Sequence, residues 1–304
     1  MKLLMTLLVR DEEDILDANI EFHLRQGVDH IIATDNRSRD DTRRILRQYE
    51  RQGVLTYLYE AADDYSQHRW VTRMARLAAT EHDADWVINN DADEFWWPAG
   101  GPSLKALLEE IPAGVSALAA ERVNFLPLAG EFGGARGSGA PFHQTMIIRE
   151  ACSLNALGQP LPPKVCHRGL ADIDVGQGNH AVSIAGAVIP ALDTGIRILH
   201  FPQRTYAQFE NKIAMGGRAY ANNKELPPAI GGTWRRLYES YLAGELPTYY
   251  AAQVPGEEAV RRGLAEGCLV RDTRLRDFFG QTGADIRVAR PSGGHARLCR
   301  RFQL

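Results

Sequence analysis

The stretch DADWVINNDADEFWWP, residues 83–98, decides how the rest of the chain is read. Trp86-Val87-Ile88 has the makings of a short buried strand. Two asparagines follow, then Asp91-Ala92-Asp93-Glu94, then Phe95-Trp96-Trp97-Pro98. Three acids within four residues repel one another, and burying even one of them without a partner is costly. A cation offsets that cost. Two carboxylates with one residue between them, completed by phosphate oxygens, suit Mg²⁺ or Mn²⁺, which take hard oxygen ligands. A solvated acidic turn capping the next helix would use the same residues. The strand before the acids and the aromatic shelf after them favour a binding site.

Upstream, the pattern alternates. Residues 3–9 are a continuous apolar run, the mark of a strand covered on both faces. Residues 10–13, Arg-Asp-Glu-Glu, form a polar loop at its carboxyl end. Asp14 is placed to cap a helix that runs to Gln26 and stops at Gly27. A strand over 28–34 follows, then the polar loop DNRSRDDT (35–42), a helix to Gln52, a strand over 54–59 and a helix over 66–81. Strand–helix alternation at this spacing predicts a parallel sheet with right-handed crossovers. Ligands of such sheets bind beyond the carboxyl ends of the strands. The polar clusters at 10–13, 35–41 and 91–94 all fall there, so three loops should converge on one crevice.

A chain of 304 residues allows one large domain or two small ones. At 44% hydrophobic and 24% charged it is globular in composition, and a net charge of −3 gives no general pull towards nucleic acid. Cys152, Cys166, Cys268 and Cys299 are scattered and form no CxxC pair, which suits reduced thiols in the cytoplasm. The opening MKLLMTLLVRDEEDIL lacks a small-residue cleavage site and reads as the first strand. No run reaches the roughly 18 apolar residues of a membrane span, so no span is expected and peripheral membrane contact stays open.

Downstream of Pro98 the pattern loosens. Residues 103–111 predict a helix and 115–125 a strand. The glycine-rich stretch 129–140 predicts a flexible loop, suited to an acceptor lid or a plain linker. Residues 143–149 and 164–167 predict strands, a hairpin should turn at Ala185-Gly186, and 196–201 predicts another strand. A helix is expected over 205–220, and amphipathic helices dominate from Thr233 onward. The organisation expected is a domain over 1–230, with a nucleotide-binding half (1–98) and an acceptor half (99–230), followed by a helical region over 231–304.

Three segments, LLVRDEEDILDANIEFHLRQGVDHIIATDNRSRDDT, DWVINNDADEFWWP and ILHFPQRTYAQFENKIAMGG, together resemble family 2-like glycosyltransferases with a GT-A fold. Within these they are similar to a bacterial branch with an Asp-x-Asp-Glu-Phe motif. The resemblance spans residues 3–217 in segments. It implies an α/β fold: a Rossmann-like, mostly parallel sheet flanked by helices, here with a helical C-terminal extension. It also implies a nucleotide-sugar donor, a carbohydrate or glycoconjugate acceptor, and Mn²⁺ or Mg²⁺ held by the acid motif. Asp91 and Asp93 match that motif. Asp35 and Asn36 match the loop that reads the donor's base and ribose. Arg10 and Glu12 match the end of the first strand, although Asp11-Glu12 stands where Asn-Glu is usual. Arg37 and Asp41 replace the commoner glycines of the second loop.

Further residues follow from the chemistry that transfer requires. His180 in GQGNHAV and His200 in ILHFP are candidate additional metal ligands, and core packing is the competing role for each. The other seven histidines read as structural. Lys212, with Arg204 near it, could neutralise a departing diphosphate. Arg69 and Arg73, with Gln67, lie on the helix before the acid motif, where they could meet donor phosphates or simply face water. An inverting transferase needs a base for the acceptor hydroxyl, and the candidates are Glu94, Glu121, Asp172 and Asp174. Trp96 and Trp97 could stack on a sugar ring or pack in the core. The competing functions are a phosphohydrolase of the haloacid dehalogenase type, a nucleotidyltransferase, and a non-catalytic nucleotide- or carbohydrate-binding protein. In the first the acid motif would follow the first strand, and the second would show a glycine-rich basic loop after that strand. Two intact aspartates argue against the third.

Overall fold

The apolar run at the start of the chain becomes β1 (Leu3–Val9), with all but one of its residues buried. In the computed structural model, which describes residues 1–128, 140–227 and 230–281, β1 is followed by α1 (Leu16–Arg25), β2 (His30–Asp35), α2 (Thr42–Arg51), β3 (Leu55–Tyr59), α3 (Gln67–Thr80) and β4 (Trp86–Asp91). These strands are parallel and lie in the order β3-β2-β1-β4. The alternation read from the sequence is therefore the observed one. Gly27 ends α1 with φ at +95°, a conformation that a Cβ disfavours. Asp14 is not the cap of α1: Ile15 occupies the cap position and no side chain bonds there.

The chain continues with β5 (Glu94–Trp97), α4 (Leu104–Glu109), β6 (Ala117–Asn124), α5 (Phe142–Thr145), β7 (Ile148–Glu150), β8 (Lys164–Arg168), β9 (Ile173–Val175), a 3-10 turn (Gln177–Asn179), β10 (Val182–Ile184), β11 (Ala187–Val188) and β12 (Leu192–His200). The main sheet has eight strands in the order β3-β2-β1-β4-β8-β6-β12-β5, and β8 runs antiparallel to both β4 and β6. The fold is thus α/β, with a mixed sheet flanked by helices. β10 and β11 turn at Ala185-Gly186, both at positive φ, as the dipeptide predicts. β5 was not expected, because four consecutive buried residues, Glu-Phe-Trp-Trp, carry no period-2 signal. Residues 142–145 are helical where a strand was expected.

The last stretch supplies α6 (Tyr206–Asn222), α7 (Gly232–Leu242), α8 (Leu246–Gln253), α9 (Glu257–Glu266), β13 (Leu269–Arg271) and α10 (Arg274–Gly280). The glycine-rich stretch 129–139 and the end of the expected helical region, 282–304, lie outside the described residues.

Two compact units emerge. Unit 1 is Met1–Arg122 with Pro162–Ile198, and unit 2 is Val123–Leu161 with Leu199–Leu304. In unit 1, α3 buries Val71, Met74, Ala75 and Ala78, a stripe at helical spacing, against Leu4, Ile32, Val87 and Val165 of the sheet. Each such side chain contributes about 1.5–3 kcal/mol on full burial, less for alanine. In unit 2, Phe209, Ile213, Leu237 and Leu246 join α6, α7 and α8, while Ile147, Ile148, Val260 and Leu269 form a second cluster. Among the described residues no helix is long and apolar enough to cross a membrane.

Candidate functional site

The loops after β1 and β2 are tied together by hydrogen bonds. Asp11 adopts a left-handed backbone (φ 54°), its N–H donates to Ser38 Oγ (3.1 Å), and its carboxylate accepts from the Arg39 N–H (2.7 Å). Position 11 thus has a local role in this chain. The Glu12 N–H donates to Thr42 Oγ1 (2.9 Å), and Glu13 accepts from the Asp41 N–H (2.7 Å). Arg10 donates to Asp63 (2.6 Å) and, more weakly, to Asn36 Oδ1 (3.4 Å). Asn36 in turn donates to the carbonyls of Glu60 and Ala62 at 3.2 and 2.7 Å. The structure therefore brings Arg10, Glu12, Asp35 and Asn36 to one end of the sheet. Asp35 is fully enclosed and accepts from the Ser38 N–H (2.8 Å), the Tyr57 hydroxyl (3.0 Å) and Arg43 Nε (3.3 Å). Its carboxylate shapes the second loop before any ligand arrives.

The acid motif is the turn between β4 and β5. Pairing of Leu8 with Asp91 sets it beside the end of β1. Buried amides hold the turn from beneath. Asn19 Nδ2 donates to the carbonyls of Ala92 (2.9 Å) and Glu94 (2.8 Å). Asn90 Nδ2 donates to Asn19 Oδ1 (3.0 Å), and Asn90 Oδ1 accepts from Trp96 Nε1 (3.0 Å). Trp96 and Trp97 are buried, and Trp97 stacks on Phe22 at 5.8 Å. The expected aromatic shelf is therefore core. A half-exposed strand would show period-2 alternation, but all four residues of β5 are buried.

The three acids differ in setting. The Asp91 side chain is 36% exposed, Asp93 is nearly enclosed, and Glu94 is fully enclosed. Lys164, the first residue of β8, has only 2% of its side chain exposed; its Nζ donates to Asp91 Oδ2 and lies 3.3 Å from Glu94 Oε1. Arg122 from β6 lies 3.4 Å from the same Glu94 oxygen. Glu94 Oε2 is buried with no hydrogen-bond partner. Burial pushes the Glu94 carboxyl up to about 7; Lys164 and Arg122 pull against that, while Asp91 and Asp93 add to it.

A second loop reaches the turn from between β9 and β10. Asn179 donates to Asp91 Oδ1 (3.3 Å) and accepts from Gln67 Nε2 (2.6 Å). Gln67 Oε1 accepts from the Gly178 N–H (2.8 Å). His180 Nδ1 donates to the Pro163 carbonyl (2.8 Å). Burial, followed by the charges of Lys164 and Arg122, holds the His180 imidazole down at about 4, so it is neutral near pH 7.

Other expected residues lie elsewhere. Arg69 and Arg73 are on the exposed face of α3, and Arg73 lies 3.8 Å from Glu60. Asp174 is on β9, paired with Arg76 of α3 at 2.7 Å. Glu121 pairs with Arg197 at 2.5 Å. His200 and Lys212 belong to unit 2, where His200 Nδ1 meets Asn124 Oδ1 at 2.7 Å and Lys212 is half-buried on α6. The residues that sequence reasoning missed are Lys164, Arg122 and Asn179; Gln67, expected to meet donor phosphates or face water, is instead buried and bonded to Asn179. The available signal was a lysine opening a buried strand, which implies a buried acid to meet it.

Among the described residues, no three of His, Cys, Asp or Glu assemble as a ready-made metal cage. Asp91 and Asp93 are instead a two-carboxylate set, the kind that holds Mg²⁺ or Mn²⁺ together with substrate phosphates and water. The surplus of acid at the turn, with one buried Glu94 oxygen unpartnered, fits such an ion.

Residues 7–120 match the model of glycosyltransferase family 92. No curated protein matches the chain. Among solved structures, the chain is similar to Staphylococcus aureus TarS 1-349, at 12% identity over 88% of this chain and 92% of that one, with a TM-score of 0.37. It is also similar to glucosyl-3-phosphoglycerate synthase from Mycobacterium tuberculosis in complex with Mn²⁺, uridine diphosphate and phosphoglyceric acid, at 13% identity over 84% and 80% of the two chains, with a TM-score of 0.34. TM-scores of this size leave fold family and activity to be argued from the chain itself.

Proposed function

We propose that the chain is a glycosyltransferase that takes a sugar from a nucleotide-sugar donor and passes it to an acceptor hydroxyl. One observation carries the reading. The strand order β3-β2-β1-β4 reverses direction between β1 and β4, and open parallel sheets bind ligands outside the carboxyl ends at such a point. The loop after β1 and the Asp91–Glu94 turn flank that position, with the loop after β2 bonded to the first. The family 92 match over residues 7–120 covers these loops and supports the same activity. The narrower placement among family 2-like enzymes of GT-A fold rests on the three sequence segments.

In this reading Asp91 and Asp93 hold Mn²⁺ or Mg²⁺, with His180, of the same unit, as the further ligand. The ion, when bound, neutralises the donor diphosphate. Arg10, Glu12, Asp35 and Asn36 position the nucleoside. Arg69 and Arg73 supply positive charge along α3. Glu94, enclosed with its carboxyl near 7, is the candidate base for an inverting transfer, whereas Asp174 is engaged by Arg76 of α3. The scattered free thiols fit a cytoplasmic enzyme.

Asp93→Asn tests the reading. It should abolish Mn²⁺-dependent binding of a nucleoside diphosphate in calorimetry while leaving the melting temperature in place. Unchanged affinity would remove the metal assignment.

A further inference from the structure

We propose that Lys164 is a resident cation of the acid turn: it stands in for the divalent ion while none is bound and gives up Asp91 when one arrives. The proposal rests on the reading of Asp91 and Asp93 as the metal-holding pair.

Three carboxylates, Asp91, Asp93 and Glu94, crowd one turn. Two cations face them from neighbouring strands, Lys164 and Arg122. The Lys164 ammonium lies between Asp91 and Glu94, bonded to the first and 3.3 Å from the second. An enclosed lysine is strongly disfavoured unless an acid meets it. An enclosed Glu94 is disfavoured for the same reason, and one of its oxygens still has no partner. Each group therefore makes the other's burial tolerable, as an ion at the same place would.

Asp91 is the most exposed of the three acids, so it is the one an ion from solvent reaches first. Both of its oxygens are already engaged, Oδ2 by Lys164 and Oδ1 by Asn179. Asn179 is neutral and can share. Lys164 carries the charge that repels the incoming ion. It does not have to leave the site, because Glu94 holds it from the other side. Lys164 is thus a positioning residue: it keeps the acids in place before the ion binds and sets how strongly the ion must compete.

The test is Mn²⁺ titration by calorimetry, with melting temperatures measured with and without Mn²⁺, on the full chain. Lys164→Met should melt lower than the wild type without metal, recover that loss in saturating Mn²⁺, and bind Mn²⁺ at least tenfold more tightly. Removing an enclosed cation can also prevent folding. The pair Glu94→Gln and Glu94→Gln/Lys164→Met avoids this, because the enclosed carboxylate beside Lys164 is gone from both and the one that remains, Asp91, is partly exposed. The double variant should bind Mn²⁺ more tightly than the single one. Affinity that is equal or weaker in both comparisons overturns the role of Lys164. Asp93→Asn separates the two claims. If it retains wild-type Mn²⁺ affinity, the metal reading fails, and the proposal with it. If it loses Mn²⁺ while Lys164→Met gains none, the resident-cation role alone fails.

Discussion

His23 uses both ring nitrogens inside unit 1. Nδ1 donates to the Asn19 carbonyl (2.8 Å), so Nε2 is left to accept the Trp96 N–H (3.3 Å). His167 is likewise enclosed, with Nδ1 on the Arg168 carbonyl (2.7 Å). Burial lowers each imidazole from 6.5 to about 4, and a hydrogen bond to a backbone carbonyl opposes it only in part. The unfolded chain binds these protons near pH 6.5 and the folded chain only near 4. The stability they contribute is therefore complete above 6.5 and lost as pH falls towards 4. At pH 5 each costs about 2 kcal/mol. Urea unfolding at pH 7 and pH 5 should show this loss, and His23→Gln should shrink the difference by about 2 kcal/mol; an unchanged difference would mean that His23 is protonated in the folded state. Both histidines read as structural from the sequence alone, and both are. Asp91 and Asp93 were legible for a different reason: acids that follow a strand can be seen locally. Lys164 was not, because it lies 73 residues from Asp91 and only strand pairing joins them.

The turn carrying Asn179 shows what an element adds to a residue. Asn179 sits at φ 62°, in the left-handed region that asparagine tolerates better than most residues. There its amide links Gln67 at the start of α3 to Asp91 at the end of β4. Alanine at this position would lose the link, leave a buried Gln67 amide short of a partner, and strain the backbone. Asn179→Ala should cost about 2–4 kcal/mol, the sum of a lost buried hydrogen bond and about 1 kcal/mol of strain. Asn179→Gly relieves the strain but not the loss, so it should be the milder of the two in urea titration. Equal losses would show that the backbone conformation carries no cost. The parallel strands and their helices were legible because apolar runs, glycine stops and polar loops alternate along the first 91 residues. β5 and α5 were not. Glu-Phe-Trp-Trp is buried on every side through the Phe22, Phe95 and Trp97 ring contacts, and Phe142–Thr145 is a single helical turn with no periodicity to read.

At the scale of the whole chain, the two units interleave in sequence: unit 1 gives way to unit 2 after Arg122, resumes at Pro162 and ends at Ile198. Such a division depends on contacts between distant segments and leaves no linear pattern, whereas the α/β class is set by the local alternation. The tryptophans give a way to follow unit 1 by itself. Trp70, Trp86, Trp96 and Trp97 belong to it, and Trp234 lies in unit 2. Trp234→Phe leaves tryptophan fluorescence reporting on unit 1 alone. Trp234 is half-buried, beside Tyr220 and over Gly216, so the aromatic replacement keeps most of its packing. The proposed donor site is built from β1, β2 and β4, all in unit 1. A ligand bound there adds RT ln(1 + [L]/Kd) to the stability of the state that binds it, about 2.7 kcal/mol at a hundredfold excess over Kd. In the Trp234→Phe chain, a nucleoside diphosphate with Mn²⁺ should therefore raise the fluorescence midpoint in urea, and neither component alone should raise it as far. Asp93→Asn in the same background should remove the joint effect. A midpoint indifferent to the pair of ligands would take the donor site out of unit 1.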